Sequence, residues 1–167
     1  FPDRVECILL NKKIKLIGVT GTNGKTTTTY FIKSIFETAG YKTGLVGTIT
    51  NFIGERVITS SLTTPESNDL NMLFDEMYSQ GCKYAIMEVS SHSLVLKRVH
   101  KLNFSTGVFT NLTQDHLDFH QNFEDYLNAK KILFDNLAGS ASAIYNIDDP
   151  NGVNIVADSK AKIFSYG

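Results

Sequence analysis

The chain has 167 residues, 42% hydrophobic and 20% charged, the composition of a soluble globular domain with a sizeable core. Its 16 Lys and Arg nearly balance 17 Asp and Glu, which excludes a global field suited to nucleic acid or an anionic membrane, so any phosphate binding must be local. No run reaches the roughly 20 apolar residues that span a bilayer, no basic-then-apolar leader is visible, and Cys7 and Cys82 are unpatterned, so a cytoplasmic setting is expected.

In chain order, Ile14 to Thr20 is a β-branched, apolar run and reads as a strand. From Lys25, Tyr30, Phe31, Ile35 and Phe36 fall at helical spacing until Gly40. Between them lies Thr20-Gly21-Thr22-Asn23-Gly24-Lys25-Thr26-Thr27, a glycine-rich loop entering a helix, where backbone amides and the helix N-terminus can surround phosphate oxygens. Lys25 is placed to reach terminal phosphates, and the Thr26 hydroxyl to contribute to a magnesium ion that bridges them. The strict phosphate-loop pattern wants glycine where Val19 stands; this is a variant with its glycine at Gly21.

Thr43 to Ile49 reads as a second strand, Asn51 to Gly54 as a turn, and the run through Val57 and Ile58 as the other arm of a hairpin. Thr64-Pro65 has the order of an N-cap followed by proline at the first helical position, and Leu70, Leu73, Phe74 and Met77 form the stripe of the helix that follows. Tyr84 to Val89 reads as a buried strand ending at Glu88. That acid reads either as a magnesium ligand among the hydroxyls of Ser90, Ser91 and Ser93 or as a solvated strand-end group.

Phe104 to Thr110 is the next buried strand, followed by Asn111 and Asp115-His116-Leu117-Asp118-Phe119-His120. His116 and His120 have i,i+4 spacing, but with no intervening Glu and no nearby cysteine the pattern argues against zinc. Phe123 to Leu137 forms an amphipathic helix on which Phe123, Tyr126, Leu127, Leu133, Phe134 and Leu137 make the apolar stripe and Lys130 falls on it. The pattern alone favours a snorkelling Lys130, its ammonium in water. The alternative is a desolvated, neutral amine that takes up carbon dioxide as a carbamate able to ligate a second magnesium. Ala143 to Asn146 and Ile163 to Ser165 read as late strands. Strands alternating with helices predict an α/β fold, a mostly parallel sheet flanked by helices, with ligands at the carboxyl ends of the strands. With no repeat or linker the chain reads as one domain, 1–167, and its start at Phe1 suggests a processed or excised piece.

Taken together, the threonine-glycine phosphate loop, Thr63-Thr64-Pro65, Glu88-Val89-Ser90-Ser91-His92, Asn111 with Asp115-His116-Leu117-Asp118, and Tyr126 with Ala129-Lys130 resemble the Mur ligases in order and spacing, from about Ile14 to the C-terminus. The segment around Glu88 most resembles members that add meso-diaminopimelate or L-lysine to UDP-N-acetylmuramoyl-L-alanyl-D-glutamate. That resemblance implies the family's central ATP-binding domain, without the N-terminal uridine-nucleotide domain, the C-terminal domain and the end of the central domain. It implies ATP and Mg2+ as cofactors, and the muramoyl dipeptide and a diamino acid as partners. It also implies an acyl phosphate formed on the substrate; a monomer is expected. By the same resemblance Gly21, Thr22, Asn23, Gly24, Lys25, Thr26 and Thr27 bind nucleotide, and Thr26 and Glu88 serve one magnesium. His116 and carbamylated Lys130 serve the second, and Thr63, Thr64, Ser90 and Arg98 hold the substrate. Arg98 alone reads equally as a solvated charge. Leu96 departs from the family, where a polar residue is expected. Folylpolyglutamate and cyanophycin synthetases share the loop but differ around Glu88. A GTPase is set aside because Asn11-Lys12 precedes the loop. A nucleotide-binding module without turnover is the remaining alternative, and the piece alone is expected to be inactive.

Overall fold

The computed structural model describes residues 13–113 and 119–167. Among these residues eight strands form one sheet: β1 (Lys15–Thr20), β2 (Thr43–Val46), β3 (Thr50–Ile53), β4 (Arg56–Thr59), β5 (Tyr84–Glu88), β6 (Phe104–Phe109), β7 (Ser142–Asn146) and β8 (Lys162–Tyr166). Their order is β4-β3-β2-β5-β1-β6-β7-β8. From β2 to β8 neighbours are parallel, and β3 and β4 add an antiparallel flank. The expected α/β architecture is therefore what the chain forms.

Among the described residues five helices connect the strands: α1 (Lys25–Thr38), α2 (Ser67–Ser79), α3 (Ser91–Val95), α4 (Phe123–Asp135) and α5 (Gly152–Val156). Side chains alternate across the central strands, so Ile17, Val19, Ile86 and Val108 meet Ile32 and Phe36 of α1 on one face. Leu16, Ala85, Met87 and Phe109 belong to a larger cluster with Leu70, Phe74 and Met77 of α2, Leu94 of α3, Tyr126, Leu133 and Phe134 of α4, and Ile155 of α5. Burial on both faces explains why the parallel strands read as continuous apolar runs.

Several elements differ from the sequence reading. Phe31 and Ile35 of α1 are about two-thirds exposed, and Thr29, Ile32 and Phe36 face the sheet instead. The richest aromatic spacing was out of phase with the buried stripe. β2 stops at Val46 rather than Ile49 because the next amides turn to side chains: Gly47 N–H donates to Asn51 Oδ1 at 3.1 Å and Thr48 N–H to Glu88 Oε1 at 2.9 Å. Asn51 thus lies within β3, and the hairpin turns at 54–55. α2 begins at Ser67 with Glu66 as its N-cap, not Thr64. The Thr64 hydroxyl is drawn to the sheet, donating to Glu88 O at 2.8 Å and accepting from Ser90 N–H at 3.1 Å. The two short helices α3 and α5 carry too few turns to show a helical period. Cys82 is buried, and burial pushes its thiol up from the usual range.

α3 closes in a Schellman turn: Arg98 N–H donates to Ser93 O at 2.9 Å and Lys97 N–H to Leu94 O at 3.2 Å. The left-handed position is Lys97, with φ 58°, where helices ordinarily use glycine. We expect Lys97→Gly to stabilise the fold by about 1 kcal/mol, a few degrees in melting temperature. An unchanged or lowered melting temperature would show that the lysine stem makes up the backbone cost.

Candidate functional site

The parallel register puts the site together. β1 lies between β5 and β6, with Val19 opposite Glu88 and Thr20 opposite Phe109. The loop leaving β1 therefore emerges between the ends of two other strands, at the point where the chain's path across the sheet reverses.

The loop rests against the segment that follows β6. Thr22 N–H donates to Asn111 O at 2.9 Å and Asn23 N–H to Asn111 Oδ1 at 2.9 Å. Thr110 Oγ1 donates to Asn23 O at 2.7 Å. A Cβ on Gly21 would fall 1.9 Å from Thr110 Oγ1, and Gly21 has φ 152°, so only glycine fits. Gly24, at φ 80°, then turns the chain into α1.

The amides of Thr22 and Asn23 are thus already engaged, contrary to the expectation that the whole loop offers donors to phosphate. The amides of Gly24, Thr26 and Thr27 have no hydrogen-bond partner among the described residues, and no side chain caps α1. Open N–H groups at the positive end of a fourteen-residue helix fit a phosphate group. Lys25 Nζ folds over the loop, donating to Gly21 O at 2.9 Å and Thr22 O at 2.7 Å.

Glu88 is 1% exposed at the end of β5. Thr26 Oγ1 lies 3.0 Å from both of its carboxylate oxygens, and Thr48 reaches them with its amide at 2.9 Å and its hydroxyl at 3.1 Å. A Cβ on Gly47 would sit 2.6 Å from Glu88 Oε1, so a residue without a side chain is needed there. An acid and a hydroxyl in contact beside phosphate donors supply the oxygen ligands that magnesium prefers. Among the described residues no three His, Cys, Asp or Glu form a metal cluster, so the remaining ligands of an ion here would be phosphate and water.

Thr63, Thr64 and Ser90 gather around the end of β5, next to Glu88. Thr48 Oγ1 is 3.0 Å from Thr63 Oγ1, and Thr64 bridges Glu88 O and Ser90 N. Arg98 Nε approaches Glu66 Oε1 at 2.8 Å, off hydrogen-bond alignment and so an ionic contact, while Nη1 donates to Thr64 O at 3.3 Å. Arg98 is therefore not a freely solvated charge, since it braces the loop that carries Thr63. Leu96 is half exposed at the C-cap of α3.

Lys130 is 1% exposed and does not snorkel to water. Its Nζ donates to Gly21 O at 3.0 Å and lies 4.3 Å from the centre of the Tyr126 ring, while Tyr126 Oη meets Thr22 Oγ1 at 3.1 Å. α4 thus holds the loop from its far side. His120 Nε2 pairs with Ser91 Oγ at 2.9 Å. His116 lies outside the described residues. Sequence reasoning did not single out Thr48 or Thr110. Both are lone threonines just past strand ends, and only their position relative to Glu88 and Gly21 reveals them. An apolar cavity of about 380 Å³, walled by Leu94, Val99, Phe104 and Leu133, sits at the opposite ends of the strands and holds none of these groups.

The chain matches the family described as Mur ligase middle domain over residues 19–167. It is 56% identical over 154 residues to the UDP-N-acetylmuramoyl-L-alanyl-D-glutamate--2,6-diaminopimelate ligase of Clostridium tetani, covering 92% of this chain and 31% of that protein. It is 46% identical over 156 residues to the protein of the same name from Bacteroides fragilis, covering 93% and 32%. A solved structure of a ligase of that name superposes with a TM-score of 0.81 at 29% identity, over 92% of this chain and 32% of that one. E. coli FolC with ADP bound shares the fold, with a TM-score of 0.64 at 22% identity over 98% and 47%. The chain spans about a third of the length of the curated relatives it matches.

The tightest contact in the site gives the clearest expectation. Gly21→Ala forces a methyl group into Thr110, and we expect a loss of several kcal/mol of stability, of order 2–4, together with loss of nucleotide binding. Wild-type melting and nucleotide affinity in that variant would show that the loop does not rest on Thr110.

Proposed function

Since this chain belongs to the Mur ligase family, whose middle domain it matches over most of its length, we propose that it is the phosphoryl-transfer core of an ADP-forming ligase. The proposed reaction joins meso-diaminopimelate to UDP-N-acetylmuramoyl-L-alanyl-D-glutamate, as the names of the relatives suggest. The activity is that of the longer protein, working in the cytoplasm as a monomer. No helix among the described residues is long and apolar enough to cross a membrane.

The observation that carries this reading is the contact of Thr26 with Glu88, beside a loop with open amides and beside Thr63. Phosphate binding, an oxygen-rich cation site and a polar substrate wall then share one strand end. In the proposed reaction the substrate carboxylate oxygen attacks the γ-phosphorus of ATP and ADP leaves. The amine of the diamino acid next attacks the acyl carbon, and phosphate leaves as the amide forms.

Lys25 and the amides of Gly24, Thr26 and Thr27 hold the triphosphate, and Gly21, Thr22 and Asn23 shape the loop around it. Thr26 and Glu88 would hold one Mg2+, and His116 with carbamylated Lys130 a second. Bound magnesium offsets the negative charge that crowds between phosphate and carboxylate. Thr63, Thr64, Ser90 and Arg98 orient the muramoyl dipeptide, with Thr64 tying its own segment to the end of β5.

The full-length protein is expected to release phosphate from ATP only when muramoyl dipeptide and diaminopimelate are both present. Release that ignores the amine would contradict a ligase. The carbamate has its own check: activity falls in carbon dioxide-free buffer and returns with bicarbonate, and 13C-bicarbonate gives a carbamate resonance lost in Lys130→Arg. Activity indifferent to carbon dioxide would leave Lys130 as an ammonium bound to Gly21.

A further inference from the structure

Gly21 O, the carbonyl that accepts from the Nζ atoms of Lys25 and Lys130, belongs to the same peptide group as the Thr22 amide. That amide donates to Asn111 O at 2.9 Å, and Asn111 O in turn shares a peptide group with the amide of Leu112. Leu112 N–H donates to Asp149 Oδ2 at 2.7 Å. These contacts form one chain: the lysines donate to peptide 21–22, that peptide to peptide 111–112, and the second peptide to a carboxylate. In a trans peptide the N–H and C=O point opposite ways, so every donor in the chain points toward Asp149. Aligned hydrogen bonds polarise one another, and a carboxylate at the accepting end makes Gly21 O a stronger acceptor for the lysines.

The carboxylate is aimed by its own turn. Asp149 Oδ1 accepts from the Asn151 amide at 2.8 Å and from Asn151 Nδ2 at 3.1 Å, which directs Oδ2 at Leu112. From the last residue of β7, Asn146 Nδ2 donates to Thr110 O at 3.0 Å, so the peptide groups on both sides of Asn111 are clamped from the end of that strand. We propose that Asp149 is a positioning residue for nucleotide binding: through two peptide groups it sets Lys25 and the loop after β1, without touching the nucleotide. The inference rests on the phosphate-binding part of the reading above and is independent of amide formation.

Asparagine has one oxygen for the two sides that Asp149 serves, so Asp149→Asn, though nearly isosteric, should break the chain as Asp149→Ala does. In the full-length protein we expect either variant to bind magnesium-ATP about tenfold more weakly by calorimetry. In 15N-threonine-labelled protein the Thr22 amide should lose protection from hydrogen exchange in both. Combined with Lys25→Ala, Asp149→Ala should weaken binding by a smaller factor than it does alone, because the lysine it positions is gone. Parent-like affinity in a folded Asp149 variant, a Thr22 amide as protected as the parent's, or losses that add in the double variant would each overturn the relay. Should the Asp149 variants not fold, Asn146→Ala decides: it is expected to weaken magnesium-ATP about threefold and to loosen the Thr22 amide, and parent values for both would overturn the proposal. Failure of the unsubstituted protein to bind magnesium-ATP would instead overturn the phosphate-binding reading, and this inference with it.

Discussion

The arrangement depends on the register of one strand. β1 runs parallel between β5 and β6, and pairing Val19 with Glu88 and Thr20 with Phe109 brings three strand ends to one level. Everything chemical follows from that alignment: the loop from β1 meets the carboxylate from β5 on one side and Thr110 and Asn111 from β6 on the other. A one-residue slip in a parallel pair would reverse which side chains face each core, so burial of Leu16, Ile17 and Val19 on alternating faces also enforces the site's geometry.

The site is costly to build. Glu88 and Lys130, each 1% exposed, lie at the carboxyl ends of the strands, and burying such polar side chains is tolerated only when partners replace water. Glu88 has two hydroxyls and an amide, and Lys130 has the Gly21 carbonyl and the Tyr126 ring. Thr20 Oγ1, at the entry to the loop, is buried without a hydrogen-bond partner among the described residues, a cost of roughly 1–3 kcal/mol. Such local conflict with packing rules concentrates where function demands polarity.

Much of this was legible from the chain itself. Apolar runs marked β1, β5 and β6, and Gly21 and Gly24 marked the tight loop from β1 into α1 because backbone geometry acts locally there. What failed was decided at long range. Thr64-Pro65 has a helix-start pattern, yet Thr64 bonds to Glu88 O, 24 residues away, and α2 waits until Ser67. Phe31 and Ile35 look like a core stripe, but the phase of α1 is set by the sheet it covers. Lys130 read as snorkelling because a pattern cannot reveal an acceptor such as Gly21 O, 109 residues earlier. Thr48 carries no sequence signal at all, and its importance comes from standing beside Glu88.

The most direct measurement is calorimetric titration of this chain with magnesium-ATP, alongside Lys25→Ala checked for an unchanged fold. Open amides at the start of α1 and the lysine folded over the loop predict one binding site, with affinity reduced at least tenfold by the substitution, about 1.4 kcal/mol. Equal affinity in both proteins would contradict the account, since the nucleotide would then be held somewhere other than the loop between β1 and α1.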